Sequence, residues 1–160
     1  MGFVIFILVV LVVIIVTGLF TVTQQTAAII ERFGKFTRIA DAGLNLKIPL
    51  IDRVAGRISL RVRQLDVRVE TKTKDNVFVF VIVSVQYFVI PEKIQDAFYK
   101  LQNTEAQITS YVYDVVRARV PSIILDDVFE TKDDIAQAVK IELGQIMDDF
   151  GYGIVKTLVT

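Results

Sequence analysis

The string V-F-V-F-V-I-V-S-V-Q-Y-F-V-I, Val77 to Ile90, runs straight into P-E-K-I-Q-D-A-F, Pro91 to Phe98. The first string is β-branched and aromatic almost throughout, and it predicts one long strand with both faces buried. It is too short for a membrane span, and Ser84 and Gln86 lie at its centre. The second string opens on a proline, which suits the first turn of a helix because the missing N–H has no partner there anyway. Ile94, Ala97, Phe98 and Leu101 then follow at helical spacing. The apolar period changes from two to 3.6 at residue 90, and that change decides the fold class.

Towards the N-terminus the strand signals continue. Lys72 to Asn76, K-T-K-D-N, is polar and ends in Asp75-Asn76, residues that tolerate turn geometry. Leu65, Val67 and Val69 alternate with polar neighbours, and so do Ile58, Leu60 and Val62, but the two sets are one residue out of phase. Side chains alternate faces with period two, so the slip predicts a bulge or bend between two strands. Gly34, Gly43 and Pro49 punctuate shorter strands before it.

Towards the C-terminus the pattern is helical. Ala106, Ile108, Val112, Val115 and Val116 form a stripe after a cap at Asn103 or Thr104, and Pro121 ends or kinks that helix. A further stripe runs from Ile135 to Phe150, opened by Thr131 with Asp134 three residues on and closed by Gly151. Ile154 to Val159 reads as a returning strand.

At the start of the chain, Phe3 to Val22 is a run of twenty residues broken only by Thr17, Gly18 and Thr21, and no charge precedes Glu31. A helix of that length reaches about 30 Å, the thickness of a bilayer's hydrocarbon core. The run predicts a transmembrane anchor carried by Phe3, Val4, Ile5, Leu8, Leu11, Ile14, Ile15, Leu19 and Phe20. A secretory signal wants a cationic start and a shorter apolar run. Myristoylation of Gly2 needs Ser or Thr at the sixth position, where this chain has Phe6. Positive charge follows the span and none precedes it, which places the N-terminus outside and the rest in the cytoplasm. A re-entrant hairpin bent at Gly18 is the alternative. The predicted organisation is α+β: an N-terminal transmembrane helix in residues 1–22, a β-rich half in 23–90, and a helical half in 91–160 ending in a strand.

Composition narrows the chemistry. The 160 residues contain no Cys, His or Trp. That excludes a Ser-His-Asp triad, a Cys-His pair, a thiolate redox centre and an ordinary zinc site. Asp126-Asp127, Asp133-Asp134 and Asp148-Asp149 are the candidates for an Asp-dependent, metal-binding hydrolase, since hard cations want clustered oxygens. Against this, no Ca²⁺-loop pattern accompanies them, and adjacent residues on a helix do not face each other. Solvated helix ends are the simpler reading, with no cofactor.

Eighteen basic residues balance 18 acidic ones, which gives no basis for nucleic-acid binding. Regionally the charge is uneven. Residues 31–74 hold 11 Lys and Arg against 5 Asp and Glu, a net of +6, whereas residues 75–160 hold 7 against 13, a net of −6. The basic half adjoins the anchor, so Arg32, Lys35, Arg38, Arg57, Arg61, Arg63 and Arg68 are candidate contacts to lipid head groups. Arginines alternating along a strand also suit a plain wet face.

Several strings together resemble one family: E-R-F-G-K-F at Glu31–Phe36, A-G-L-N-L-K-I-P-L-I-D at Ala42–Asp52, R-Q-L-D-V at Arg63–Val67 and T-K-D-N-V at Thr73–Val77. They are similar to the stomatin/prohibitin/flotillin superfamily, also called SPFH or band 7, and in particular to its bacterial stomatin-like members. The resemblance runs from about Gln24 to Thr160. It marks Glu31, Arg32, Phe33, Gly34, Gly43, Pro49, Asp52 and Asp75 as positions of structural importance. It implies a non-enzymatic scaffold of a bacterial inner membrane that assembles as a homo-oligomeric ring or cage, contacts membrane lipids and modulates enclosed proteins. A narrower implication is a regulatory subunit that gates substrate access to an AAA-type membrane protease. Pro121 departs from the expected pattern. So does the absence of a long Ala/Glu-rich coiled coil after Thr160, which suggests a fragment.

Overall fold

The computed structural model describes residues 1–160. Helix α1 (Gly2–Gly18) leads into seven strands: β1 (Leu19–Val22), β2 (Thr26–Arg32), β3 (Lys35–Ala40), β4 (Gly43–Leu46), β5 (Asp52–Ser59), β6 (Arg63–Lys72) and β7 (Phe78–Val89). Four helices follow, α2 (Ile94–Tyr99), α3 (Thr104–Arg119), α4 (Leu125–Glu130) and α5 (Lys132–Asp148), and strand β8 (Tyr152–Val159) ends the order. The chain packs as two compact units, Met1–Arg61 and Val62–Thr160. The change from strands to helices at residue 90 falls inside the second unit.

In the first unit β1 pairs with β4, and β2 lies between β3 and β5; all pairings are antiparallel. The central position of β2 explains its composition. Ala27, Ala28, Ile29 and Ile30 are fully buried, so both faces of the strand are covered and the run is continuous rather than alternating. Val22, Ala28, Ile30 and Ala40 form a small core, with Phe20 and Val54 at its margin.

The apolar run at the N-terminus is divided where one helix was expected. The helix stops at Gly18, and Leu19–Val22 becomes a strand in register with Gly43–Leu46. The Gly18 carbonyl accepts a hydrogen bond from the Lys47 N–H at 2.8 Å, and a Cβ at position 18 would collide with the Lys47 carbonyl oxygen. The chain therefore leaves the helix where no side chain obstructs the partner strand. Leu19 and Phe20 lie on β1 and not on a membrane helix, and Gly18 is the last helical residue. Seventeen residues span about 25 Å, against the roughly 30 Å of a hydrocarbon core. No helix of the protein is long and apolar enough to cross a membrane.

In the second unit, the sheet β6-β7-β8 is antiparallel throughout. Val81, Val83, Val85, Tyr87 and Val89 are buried on one face, where Ile108, Val112 and Val116 of α3 and Ile135, Val139, Leu143 and Met147 of α5 complete the core. Helix α5 lies along β8, and the buried Thr157 hydroxyl donates to the Ala136 carbonyl at 2.9 Å. The expectation that both faces of the long strand are buried fails. Phe78, Phe80 and Ile82 are exposed on the outer face, so β7 alternates like a half-covered strand. Asn103 caps α3 by accepting from the Ala106 N–H, as the sequence predicts, but Thr131 does not cap α5. Its hydroxyl is turned back onto the Asp127 carbonyl of α4, a short helix for which the sequence shows no stripe. Gly151 closes the helical region at φ +84°, where an added Cβ would meet the Lys93 carbonyl oxygen and the Ala97 nitrogen.

Candidate membrane-facing site

The first unit carries the chemistry that needs explaining. Helix α1 is apolar on every side and has no charged residue, and its side chains from Phe3 to Val16 are exposed. A helix with no polar face has no orientation in which water is a good neighbour, so an apolar phase or a protein groove must cover it.

Beside its last turns stands a loop built by the A-G-L-N-L-K-I-P-L-I-D string. A groove of about 260 Å³ is lined by Ile14 and Ile15 of α1 together with Arg32, Arg38, Leu46, Lys47, Ile48, Pro49 and Asp52. Asp52 organises this loop. Its carboxylate is nearly buried, receives the Arg32 Nε at 2.8 Å, and accepts the Ile48 N–H at 3.1 Å. The Arg32 hydrogen bond, helped by the Ile48 amide, holds the Asp52 carboxyl below the usual carboxylate range. One register step further along the same strands, Glu31 faces Arg53 and the pair closes at 2.8 Å. Two ion pairs of opposite order thus lock the end of β2 to the start of β5.

That end of the sheet presents two tips. The β2–β3 turn places Phe33 at φ +51° and Gly34 at φ +80°, and the β4–β5 loop places Leu50 at φ +70°. Phe33 is 83% exposed and Leu50 fully so. Ile48 and Ile51, like Leu44 and Leu46 of β4, are exposed as well. The family-like positions thus have structural duties: Glu31, Arg32 and Asp52 form the ion pairs, Phe33 and Gly34 make the turn, Gly43 takes φ +116° at the start of β4, and Pro49 lines the groove. Asp75 belongs to the second unit. Its carboxylate accepts from the Thr73 hydroxyl and the Leu125 N–H, and the Thr73 bond keeps its carboxyl below the ordinary value.

The basic candidates divide between the units. Arg32 is paired as described, Lys35 begins β3, Arg38 donates to the Leu46 carbonyl, Arg57 donates to the Thr21 carbonyl at 2.8 Å, and Arg61 ends the first unit. Arg63 and Arg68 lie in the second unit. Arg63 pairs with Glu105 at 3.0 Å and stands 5.7 Å from the Tyr87 ring, while Arg68 lies over the Phe80 ring at 4.1 Å. The aspartate doublets stay apart along the helices: Asp126-Asp127 opens α4, Asp133-Asp134 opens α5, and Asp148-Asp149 ends it. Asp148 is engaged by Lys93 at 3.0 Å, and no three acidic side chains gather as a metal site would require.

Sequence reasoning passed over Ile48, Leu50 and Ile51, treating only Gly43, Pro49 and Asp52 in the Ala42–Asp52 string as notable. The signal was there in I-P-L-I, an apolar cluster around a proline where a polar loop would be expected.

Comparison with known proteins identifies the family. The profile of the SPFH domain / Band 7 family matches residues 20–160. Hypersensitive-induced response protein 4 of Arabidopsis thaliana is 46% identical over 134 residues, covering 83% of this chain and 46% of that protein. Human mitochondrial stomatin-like protein 2 is 30% identical over 131 residues, 81% of this chain and 36% of that protein. Protein HflK of Vibrio cholerae is 28% identical over 142 residues, 86% of this chain and 35% of that protein. The chain spans less than half the length of each of these relatives. It belongs to the SPFH domain / Band 7 family.

Proposed function

We propose that this chain is the membrane-side part of a non-enzymatic scaffold that gathers copies of itself on a membrane and organises the lipid and protein around them. The observation that carries the reading is α1, an uncharged helix apolar on all sides and exposed along its length, joined to a unit of basic charge. Residues 1–61 hold 7 Lys and Arg against 3 Asp and Glu, a net of +4, and residues 62–160 hold 11 against 15, a net of −4. A surface rich in anionic lipid attracts the first unit. Opposite signs on the two units favour head-to-tail contacts between neighbouring copies, which close into a ring if the rotation allows. Membership of the SPFH domain / Band 7 family supports the same role.

The test is the mass and shape of the protein extracted from its native membranes in mild detergent. A large homo-oligomer, seen by light scattering and electron microscopy, is the expected result; a monodisperse monomer contradicts it.

A further inference from the structure

We infer that strand β8 pairs antiparallel with β8 of a second copy about a twofold axis at Thr157, joining the two second-unit sheets into one of six strands. The inference rests on the self-assembly read above and names one contact within it. An open strand edge, the groove beside it and a self-complementary pair of charges carry it.

The sheet β6-β7-β8 has two edges, and they differ. Strand β6 carries Asp66, Arg68, Glu70 and Lys72 at alternate positions, and the Tyr113 hydroxyl of α3 donates to the Arg68 carbonyl at 3.1 Å. Charge and a covering helix are the usual guards of an edge strand. Strand β8 has no proline, and Lys156 is its only charge. Thr160 and Ile82 exchange both backbone hydrogen bonds, at 3.0 and 3.2 Å, so alternation turns the N–H and C=O of Thr157 and Val159 away from β7. Those groups form an open edge. A groove of about 460 Å³ runs along it, between Asp133, Ala136, Gln137 and Lys140 of α5 and residues 155–158 of β8. An open edge beside a groove accepts an extended strand, with backbone hydrogen bonds for affinity and the groove for side chains.

The charges select a second copy as the source of that strand. Neither Asp133 nor Lys140 has an ion-pair partner within the chain. They stand on either side of Ala136 along α5, and the Thr157 hydroxyl fixes Ala136 over β8 through its carbonyl at 2.9 Å. A twofold axis at Thr157 therefore brings Asp133 of each copy towards Lys140 of the other. A patch that meets itself has to be self-complementary in this way. In this register Thr157 faces its own counterpart as a hydrogen-bonded pair. Lys156 then stands opposite Leu158 of the second copy in a non-hydrogen-bonded pair, with Cα atoms about 4.5 Å apart. The guarded edge of β6 offers no such match.

The chain has no cysteine, so introduced ones report only the contact they are placed in. Lys156→Cys and Leu158→Cys are made separately in the full chain, mixed in mild detergent and oxidised gently. Both side chains are exposed, so neither change touches the core. The expected result is a disulfide-linked pair in the mixture, since Cα atoms at that spacing suit the bond, at about ten times the yield of Leu158→Cys mixed with Ser110→Cys. Ser110 is an exposed position on α3, outside the groove. Adding Lys140→Glu to both proteins is expected to cut the yield about fivefold, and adding Asp133→Lys as well to restore it. Equal yields in the two mixtures overturn the strand contact; a large assembly by light scattering then leaves the scaffold reading standing, whereas a monomer overturns both. Linking of Leu158→Cys to Arg68→Cys in place of Lys156→Cys overturns the twofold and makes the contact head-to-tail, β8 to β6. A yield indifferent to both charge changes overturns the register at Thr157.

Discussion

The two units solve the same problem, a sheet with apolar residues to cover, in opposite ways. In Val62–Thr160 two long helices lie on one face of the sheet, and the largest buried side chains, Tyr87, Ile108, Ile135, Leu143 and Met147, come from strands and helices alike. In Met1–Arg61 no helix covers the sheet's strands with a comparable core: the buried residues are mostly Ala, Val and Ile of the strands, and charged pairs close one end of the sheet. The most apolar segment of that unit, α1, is exposed. The second unit covers one face of its sheet with its own helices and leaves Phe78, Phe80 and Ile82 outward on the other, while the first unit leaves a whole apolar helix exposed. Apolar content alone therefore says little about stability; what matters is the phase in which each face ends.

This contrast can be broken from the side of the second unit first. Leu143→Ala removes a buried side chain from α5 and is expected to cost about 2–5 kcal/mol, measured by chemical denaturation. A loss under 1 kcal/mol would mean the helix–sheet core is looser than its burial implies. Gly151→Ala comes next, at about 1–3 kcal/mol, because the position needs positive φ and the new Cβ would sit 2.5 Å from the Lys93 carbonyl oxygen.

The first unit is expected to respond to charge. The Asp52 carboxyl is depressed in the fold, so its contribution is present above the unfolded value of about 3.9 and is lost as pH falls through the lower, folded value. Asp52→Asn should lower the melting temperature by a few degrees at pH 7 and make it less sensitive to pH between 5 and 3. An unchanged acid limb would show that the Arg32 pair is only a surface contact. The smallest effect expected is at Tyr87, whose buried hydroxyl has no hydrogen-bond partner, so Tyr87→Phe should be neutral or stabilising by up to about 1 kcal/mol. Destabilisation there would show a polar contact that the geometry leaves out.

Much of the second unit was legible in the sequence, because its elements obey local rules. Ala106 to Val116 keeps helical spacing after Asn103, Pro121 falls in a short 3₁₀ turn where α3 gives way, and Gly151 stops the helical run. The strand shift between Val62 and Leu65 was readable too, and it marks the junction of the units at Arg61 and Val62. What escaped depended on partners distant in sequence. Leu19–Val22 is as apolar as the helix before it and becomes a strand only because Gly43–Leu46 is available to pair. Outward Phe78, Phe80 and Ile82 look like core residues in one dimension, since nothing local says which face of β7 the helices take. At the candidate site the charged residues were legible one by one, yet the meeting of Arg32 with Asp52, twenty residues apart, was not. The exposed Leu50 was hidden by its own hydrophobicity.

Hydrogen exchange of the protein with and without anionic vesicles tests the division of labour most directly. The account predicts that vesicles protect amides in α1, with the β6-β7-β8 sheet and helices α3 and α5 unchanged. Protection confined to the second unit, or none in the first, would contradict it.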